Sequence, residues 1–182
     1  MEFISFTVQG RSSYGVLSDG GVHDLGARIG SILPDLKSYL RAGSLGLLAS
    51  PQKQITGTDY KLSEIRFDPV IPNPDKIVCV GLNYEAHRLE TGRSKSDYPS
   101  LFTRFADTLT GHRGAIALPK ISTALDYEGE LAVVIGRPAF RVPREKALDV
   151  VAGYTCFNDG TLRDWQRHTT QFLPGKNFPS TA

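Results

Sequence analysis

Two glutamates, Glu128 and Glu130, stand at the start of an apolar run in the stretch "ALDYEGELAVVIG". Residues 131–135 predict a buried strand, and side chains at i and i+2 of a strand share a face, so the two carboxylates point to the same side. Like charges held together repel unless a cation lies between them, and oxygen ligands favour a hard divalent ion. The isolated pattern also fits two solvated glutamates at the end of a surface strand.

A third carboxylate occurs in "YTCFNDGTLRDWQ", where a predicted strand gives way to a predicted helix. Asp159 lies at this junction, where side chains and the first amides of a helix face a cleft. Asp and Asn are also common helix N-caps, so Asn158 or Asp159 could cap the helix instead. Asp164, a turn or more into the helix, is typical of a solvated or ion-paired residue. Asp159 is therefore the candidate third ligand.

A candidate general base lies in "GLNYEAHRLETG". His87 and Glu90 are three residues apart and are neighbours on a helical turn. A carboxylate beside an imidazole raises its basicity and fixes its orientation, which suits a base that activates water. An exposed His-Glu pair on a helix is also common without any catalytic role.

Two cationic side chains complete the candidate set. Lys176, in "PGKNF", lies in a glycine-containing loop, where it could stabilise a developing enolate or carboxylate charge or simply face water. Arg104 alternates with Phe102 and Phe105 in "FTRF". It could bind a substrate carboxylate, or its charged end could reach solvent from the edge of a strand.

The elements that must position these residues fall into two predicted parts, residues 1–70 and 71–182, separated at the proline-rich segment "FDPVIPNPDK". The first part predicts a β-hairpin around Ser18-Asp19-Gly20-Gly21 and a helix in "LPDLKSYLRAGSLGLL". The second predicts strands in "KIVCVGLN", "LFTRF", "GAIALPK", "ELAVVIG" and "YTCFNDG", and helices in "YEAHRLETG", "REKALDVVAG" and "TLRDWQRHT". Because strands and helices do not alternate regularly, an α+β fold with a mixed sheet is favoured over a doubly wound one.

Composition narrows the class of protein further. The chain has 182 residues, of which 40% are hydrophobic and 22% charged, with a formal net charge of +2. No basic run suggests binding to nucleic acid or to a membrane surface, so small molecules and other protein chains are the expected partners. Cys79 and Cys156 each lie in a short apolar stretch, which predicts buried, reduced thiols, with a single disulfide as the alternative. We expect a cytoplasmic enzyme or binding protein.

Four motifs, taken in this order and spacing, resemble the fumarylacetoacetate hydrolase superfamily: "GLNYEAHRLE", "DYEGELAVVIG", "GYTCFNDGTLRDWQ" and "GKNF". The resemblance implies a mixed β-roll with peripheral helices, commonly a homodimer, with a catalytic domain in residues 71–182 and a variable, strand-rich N-terminal region in residues 1–70. Family chains continue further, and the loop-like ending "FLPGKNFPSTA" predicts that the catalytic domain is incomplete.

The resemblance also implies the roles of the site residues. A divalent cation, Mg²⁺ or alternatively Mn²⁺ or Ca²⁺, would be held by Glu128, Glu130 and Asp159. His87 and Glu90 would form the base dyad, and Lys176 would be the active-site lysine.

The implied substrates are 2-oxo and 2,4-dioxo acids. The main expectation is a hydrolase that cleaves a carbon-carbon bond of an acylpyruvate, fumarylpyruvate or fumarylacetoacetate in aromatic or amino-acid catabolism. In that reaction His87 would take a proton from the attacking water, and the metal and Lys176 would stabilise the departing enolate. Oxaloacetate decarboxylation, isomerisation or hydration at the same site, and non-catalytic binding of a metal or oxo acid, are the alternatives.

Overall fold

Alternating apolar and polar residues near the N-terminus form an antiparallel sheet. The computed structural model describes residues 1–18, 20–44 and 57–182. The sheet has five strands in the order β4-β3-β2-β1-β5. Its strands are β1 (Phe3–Val8), β2 (Arg11–Ser18), β3 (Gly21–Asp24), β4 (Tyr60–Lys61) and β5 (Arg66–Phe67). The predicted hairpin is confirmed by the antiparallel pairing of β2 with β3, although Asp19 of its turn lies outside the described residues.

Two helices accompany this sheet, α1 (Leu25–Ile29) and α2 (Leu36–Ser44). The side chain of Asp24 caps α1 by accepting a hydrogen bond from the Ala27 amide at 2.8 Å. The predicted helix is confirmed as α2, and the part of that prediction beyond residue 44 lies outside the described residues. One core cluster of this region consists of Tyr14, Val16, Leu25, Leu36 and Tyr39.

The remaining strands form three two-stranded sheets, β6 with β7, β8 with β11, and β9 with β10. These strands are β6 (Ile77–Gly81), β7 (Ser100–Arg104), β8 (Leu125–Asp126), β9 (Gly129–Ile135), β10 (Val151–Asn158) and β11 (Thr161–Leu162). The helices are α3 (Glu85–Glu90), α4 (Arg163–Gln166) and α5 (Leu173–Lys176), with 3₁₀ turns at Leu62–Glu64, Ala106–Thr108 and Arg144–Val150.

The strand β9 forms where it was predicted but is not buried. Leu131, Val133 and Ile135 on its outward face are 61%, 47% and 57% exposed. Within the described residues β9 pairs only with β10, so its apolar pattern does not reach a packed interior. Cys156 on β10 is likewise exposed, contrary to the prediction, whereas Cys79 on β6 is buried, and neither cysteine forms a disulfide within the described residues.

Two other local predictions are wrong. The segment "GAIALPK" forms no strand, and the Ala117 amide donates instead to the carbonyl of Ser180 at 2.8 Å. The segment "REKALDVVAG" forms a 3₁₀ turn over Arg144–Val150 and then enters β10, because its β-branched valines suit a strand better than a helix.

The described chain divides into two compact units. The first contains Met1–Asn73, Thr110–Ala115 and Gly129–Phe157, and the second contains Pro74–Leu109, Ile116–Glu128 and Asn158–Ala182. The first break, after Asn73, lies near the proline-rich segment, and the domain boundaries drawn from the sequence stay a prediction. None of the helices in the described residues has the length and apolar character needed to cross a membrane.

Candidate functional site

Main-chain and side-chain hydrogen bonds bring the segment before β9 next to the segment after β10. The Asp159 amide donates to the carbonyl of Glu128 at 2.8 Å, and the Glu128 amide donates to the side-chain oxygen of Asn158 at 3.0 Å. Neither Asn158 nor Asp159 caps α4, because that helix begins at Arg163, beyond the two residues of β11. The N-cap alternative is therefore wrong, and the Asp159 side chain serves another purpose.

The carboxylates of Glu128 and Asp159 lie close together in the second unit. Each offers an oxygen within 4.8 Å of the other, and Asp159 is fully buried. Glu130 follows Glu128 by two residues but belongs to the first unit, so its role as a third ligand stays a prediction. Carboxylates brought this close need compensating positive charge.

Lys176 supplies part of that charge. It ends α5 with only 2% of its side chain exposed. Its Nζ donates to Glu128 Oε2 at 2.8 Å and to Asp159 Oδ2 at 2.6 Å. The same Nζ lies 5.0 Å from the centre of the Phe102 ring, a distance at which a cation and an aromatic face attract each other. The lysine is thus fixed between the carboxylates of Glu128 and Asp159, here called the acidic group, and does not face water.

Arg104, at the end of β7, is enclosed, with 0% of its side chain exposed. Its Nε donates to Asp159 Oδ1, and its Nη2 donates to the carbonyl of Gly160. Its Nη1 is buried with no hydrogen-bond partner within the described residues. Substrate binding by Arg104 stays a prediction, which this enclosure does not favour.

Arg163 is a member of the site that sequence reasoning missed. Its Nη1 lies 2.6 Å from Glu128 Oε1, and its Nη2 lies 2.8 Å from Asp126 Oδ2. Thr161 also donates its hydroxyl to Glu128 Oε1, at 3.1 Å. The sequence did contain an indication of this role. Grouped carboxylates need basic residues close by, and Arg163 is the arginine nearest in sequence to Asp159.

His87 and Glu90 both lie exposed on the short helix α3, within the second unit. The ion pair of this helix joins Arg88 to Glu85 at 2.7 Å. That pairing lowers the pKa of Glu85, mainly through the hydrogen bonds from Arg88. The base dyad of His87 and Glu90 stays a prediction.

The acidic group suits a hard divalent cation. All its ligand atoms are carboxylate oxygens, which Mg²⁺, Mn²⁺ and Ca²⁺ prefer. Two oxygens bound to one ion can be no further apart than twice the metal-oxygen distance, about 4 Å for Mg²⁺ and about 5 Å for Ca²⁺. An oxygen of Glu128 and one of Asp159 lie within 4.8 Å of each other, which is compatible with Ca²⁺ as the side chains stand, whereas Mg²⁺ requires them to lie within about 4 Å. The residues present therefore fit such an ion.

Comparison with known proteins identifies the family. Residues 76–182 match the family described as "Fumarylacetoacetate (FAA) hydrolase C-terminal". Oxaloacetate tautomerase YisK of Bacillus subtilis (strain 168) is 41% identical over 136 residues, which are 72% of this chain and 45% of the relative. The mitochondrial oxaloacetate tautomerase fahd2 of Xenopus laevis is 35% identical over 167 residues, 89% of this chain and 52% of the relative. The chain thus spans about half the length of these curated relatives.

A solved structure shares the fold. The fumarylacetoacetate hydrolase EaFAH from the psychrophilic Exiguobacterium antarcticum superposes with a TM-score of 0.78 at 28% identity, covering 98% of this chain and 62% of that protein. The predicted α+β fold class, a β-roll with few peripheral helices, is confirmed by this match. With the sequence match covering more than half of its residues, the chain belongs to the fumarylacetoacetate hydrolase family.

Proposed function

We propose that this chain carries the active site of a divalent-metal-dependent enzyme that interconverts the keto and enol forms of oxaloacetate or a related 2-oxo acid. The observation that carries the proposal is the contact of one ammonium group, Lys176 Nζ, with both Glu128 and Asp159. A metal site and a fixed cation side by side suit an anion that gains negative charge on oxygen. The names of the relatives in Bacillus subtilis and Xenopus laevis, both oxaloacetate tautomerases, support this reaction.

Glu128, Glu130 and Asp159 would hold the ion, with Mg²⁺ as the expected metal and Mn²⁺ or Ca²⁺ as alternatives. When bound, such an ion polarises the keto and carboxylate oxygens of a 2-oxo acid as a Lewis acid. The buried position of Asp159 limits competition from water for its oxygens.

The protein's own groups would manage the proton and the charge. In the keto-to-enol direction a C3–H bond breaks and its electron pair forms the C2–C3 double bond. The C2 carbonyl oxygen then takes up a proton. Lys176 lies in the acidic group, where its charge stabilises an adjacent enolate oxygen. His87, oriented by Glu90, is the proposed carrier of the C3 proton.

A second candidate reaction, the hydrolysis of an acylpyruvate carbon-carbon bond, uses the same residues. There His87 would take a proton from water instead of from carbon, and the departing enolate would receive the same stabilisation from Lys176. The likeness to the fumarylacetoacetate hydrolase of Exiguobacterium antarcticum favours this candidate. Both reactions pass through an enolate, so one site could perform either.

A substrate panel tests the proposal. The chain is given enol-oxaloacetate, keto-oxaloacetate and an acylpyruvate, with Mg²⁺ present and after thorough chelation. We expect Mg²⁺-dependent keto-enol interconversion that Glu128→Gln abolishes and the matched control Glu145→Gln, in an exposed 3₁₀ turn, retains. Interconversion that survives chelation would refute the proposal, whereas cleavage of the acylpyruvate alone would select the second candidate.

Two further features are also proposed. The expected assembly is a homodimer, as the family resemblance implies. The predicted cytoplasmic location stays a prediction, since the name of the Xenopus laevis relative includes the word mitochondrial.

A further inference from the structure

We infer that Arg104 is a positioning residue of the metal site: by holding one oxygen of the Asp159 carboxylate, it fixes the orientation in which that carboxylate would meet an ion. This inference rests on the proposed role of Asp159 as a metal ligand. Arg104 Nε donates to Asp159 Oδ1, while Asp159 Oδ2 meets Lys176 at 2.6 Å. The two oxygens of one carboxylate are thereby given different partners, which removes the freedom of the carboxylate to rotate.

The second bond of the guanidinium fixes the main chain as well. Arg104 Nη2 donates to the carbonyl of Gly160, the residue that follows Asp159. A planar guanidinium holds its two donors at a set separation, so it binds the side chain of one residue and the backbone of the next as a single rigid unit. A lysine has one nitrogen and cannot reproduce this fork.

The position of Arg104 separates this role from direct catalysis. Its side chain is 0% exposed, and its Nε and Nη2 bond Asp159 and Gly160. The turn that it supports is tightly packed, because a Cβ added to Gly160 would lie 2.0 Å from the carbonyl oxygen of Thr181. Arg104 therefore acts on an ion through Asp159.

The test measures the dissociation constant of Mg²⁺ by calorimetry on the folded full chain, without substrate. The variants are Arg104→Lys and Arg104→Gln, with Asp159→Asn to report on the ligand itself. Arg11→Lys is the matched control, because Arg11 also pairs with a buried carboxylate, Asp24, at 2.6 Å, but belongs to the first unit.

We expect Arg104→Lys to weaken Mg²⁺ binding by about tenfold or more, the usual effect of removing a residue that orients a metal ligand, and Arg104→Gln to weaken it further. Arg11→Lys should bind Mg²⁺ like the wild type even if it unfolds at a lower temperature. A purely structural Arg104 would lower the unfolding temperature and leave the dissociation constant unchanged, and that result would overturn the inference.

Two outcomes keep this inference separable from the proposed function. If Asp159→Asn loses Mg²⁺ binding while Arg104→Lys keeps it, the metal site stands and the role of Arg104 falls. If Asp159→Asn binds Mg²⁺ like the wild type, the metal site itself falls, and the inference with it.

A measurement on the wild-type chain decides the matter if the Arg104 variants do not fold. Because the Nε–H of Arg104 is buried and hydrogen-bonded to Asp159, we expect it to exchange slowly enough to be followed by ¹⁵N nuclear magnetic resonance. Its signal should move on addition of Mg²⁺ while that of Arg11 does not. An unmoved Arg104 signal at saturating Mg²⁺ would contradict the inference.

Discussion

Replacing Lys176 by methionine should destabilise the second unit strongly. Methionine keeps much of the length of the lysine side chain but removes the charge that meets Glu128 at 2.8 Å and Asp159 at 2.6 Å. Asp159 is 1% exposed, so its carboxylate has little access to water as a substitute partner. Removing one member of a buried ion pair costs about 3–5 kcal/mol, because the other charge stays buried without compensation.

The expected loss lies at the lower end of that range. Arg104 still donates to Asp159 in the variant, and Glu128 keeps Arg163 at 2.6 Å and is 19% exposed. We therefore expect the free energy of unfolding to fall by about 3 kcal/mol. For a chain of this size that corresponds to a fall in unfolding temperature of about 6–12 °C.

The assay is urea unfolding followed by tryptophan fluorescence. Trp165 is the only tryptophan of the chain, and its ring packs 5.2 Å from that of Phe178 in the second unit, so it reports on the part that contains the site. The matched control is Lys37→Met, since Lys37 Nζ makes an exposed hydrogen bond to the Asn73 carbonyl. The control should lose less than about 1 kcal/mol. If the free energy of unfolding fell no further in Lys176→Met than in Lys37→Met, the view that Lys176 balances the charge of buried carboxylates would be refuted.

Two further predictions concern packing and pH. Gly160→Ala should lower the unfolding temperature by several degrees in the same fluorescence assay, because its Cβ would lie 2.0 Å from the Thr181 carbonyl oxygen. Gly129→Ala has open space around its Cβ and should change the unfolding temperature little. Equal effects of the two substitutions would contradict the tight packing around Gly160. Hydrogen bonds from Arg28 hold the pKa of Asp59 at about 2, below its ordinary value of 3.8. A pKa that is lower in the folded state contributes stability that is complete above pH 4 and is lost as the pH falls from about 4 to about 2. When the free energy of unfolding is measured against pH, the wild type should therefore lose on the order of 1 kcal/mol more than Asp59→Asn across that window. Parallel curves for the two proteins would exclude this role of Asp59.

The sequence predicted local features of the site and missed its long-range ones. The spacing of Glu128 and Glu130 and the position of Asp159 after a strand follow from neighbouring residues, and the structure brings the carboxylates of Glu128 and Asp159 together. The enclosure of Arg104 depends on Asp159, 55 residues away, and no local pattern reveals such a partner. For the same reason the Phe-Arg alternation around Arg104 predicted a strand without predicting which face is enclosed.

The exposure of β9 shows the other limit. Its apolar run has the composition of a buried strand. Such a composition indicates that the strand could pack against another element, but it does not indicate whether another element covers it. The difference between the predicted helix in "REKALDVVAG" and the observed 3₁₀ turn has a similar origin, since the pairing of β10 with β9 takes the residues that would have continued the helix.

The central claim is that the carboxylates grouped around Glu128 hold a divalent ion, and calorimetric titration of Mg²⁺ tests it most directly. Asp159→Asn removes one ligand charge with almost no change of shape, and Asp164→Asn makes the same change at an exposed residue that bonds Ser122. We predict that the wild type and Asp164→Asn bind one Mg²⁺ with similar affinity and that Asp159→Asn binds it at least about 100-fold more weakly. Equal affinity in all three proteins, or no binding of Mg²⁺, Mn²⁺ or Ca²⁺ to the wild type, would contradict the claim.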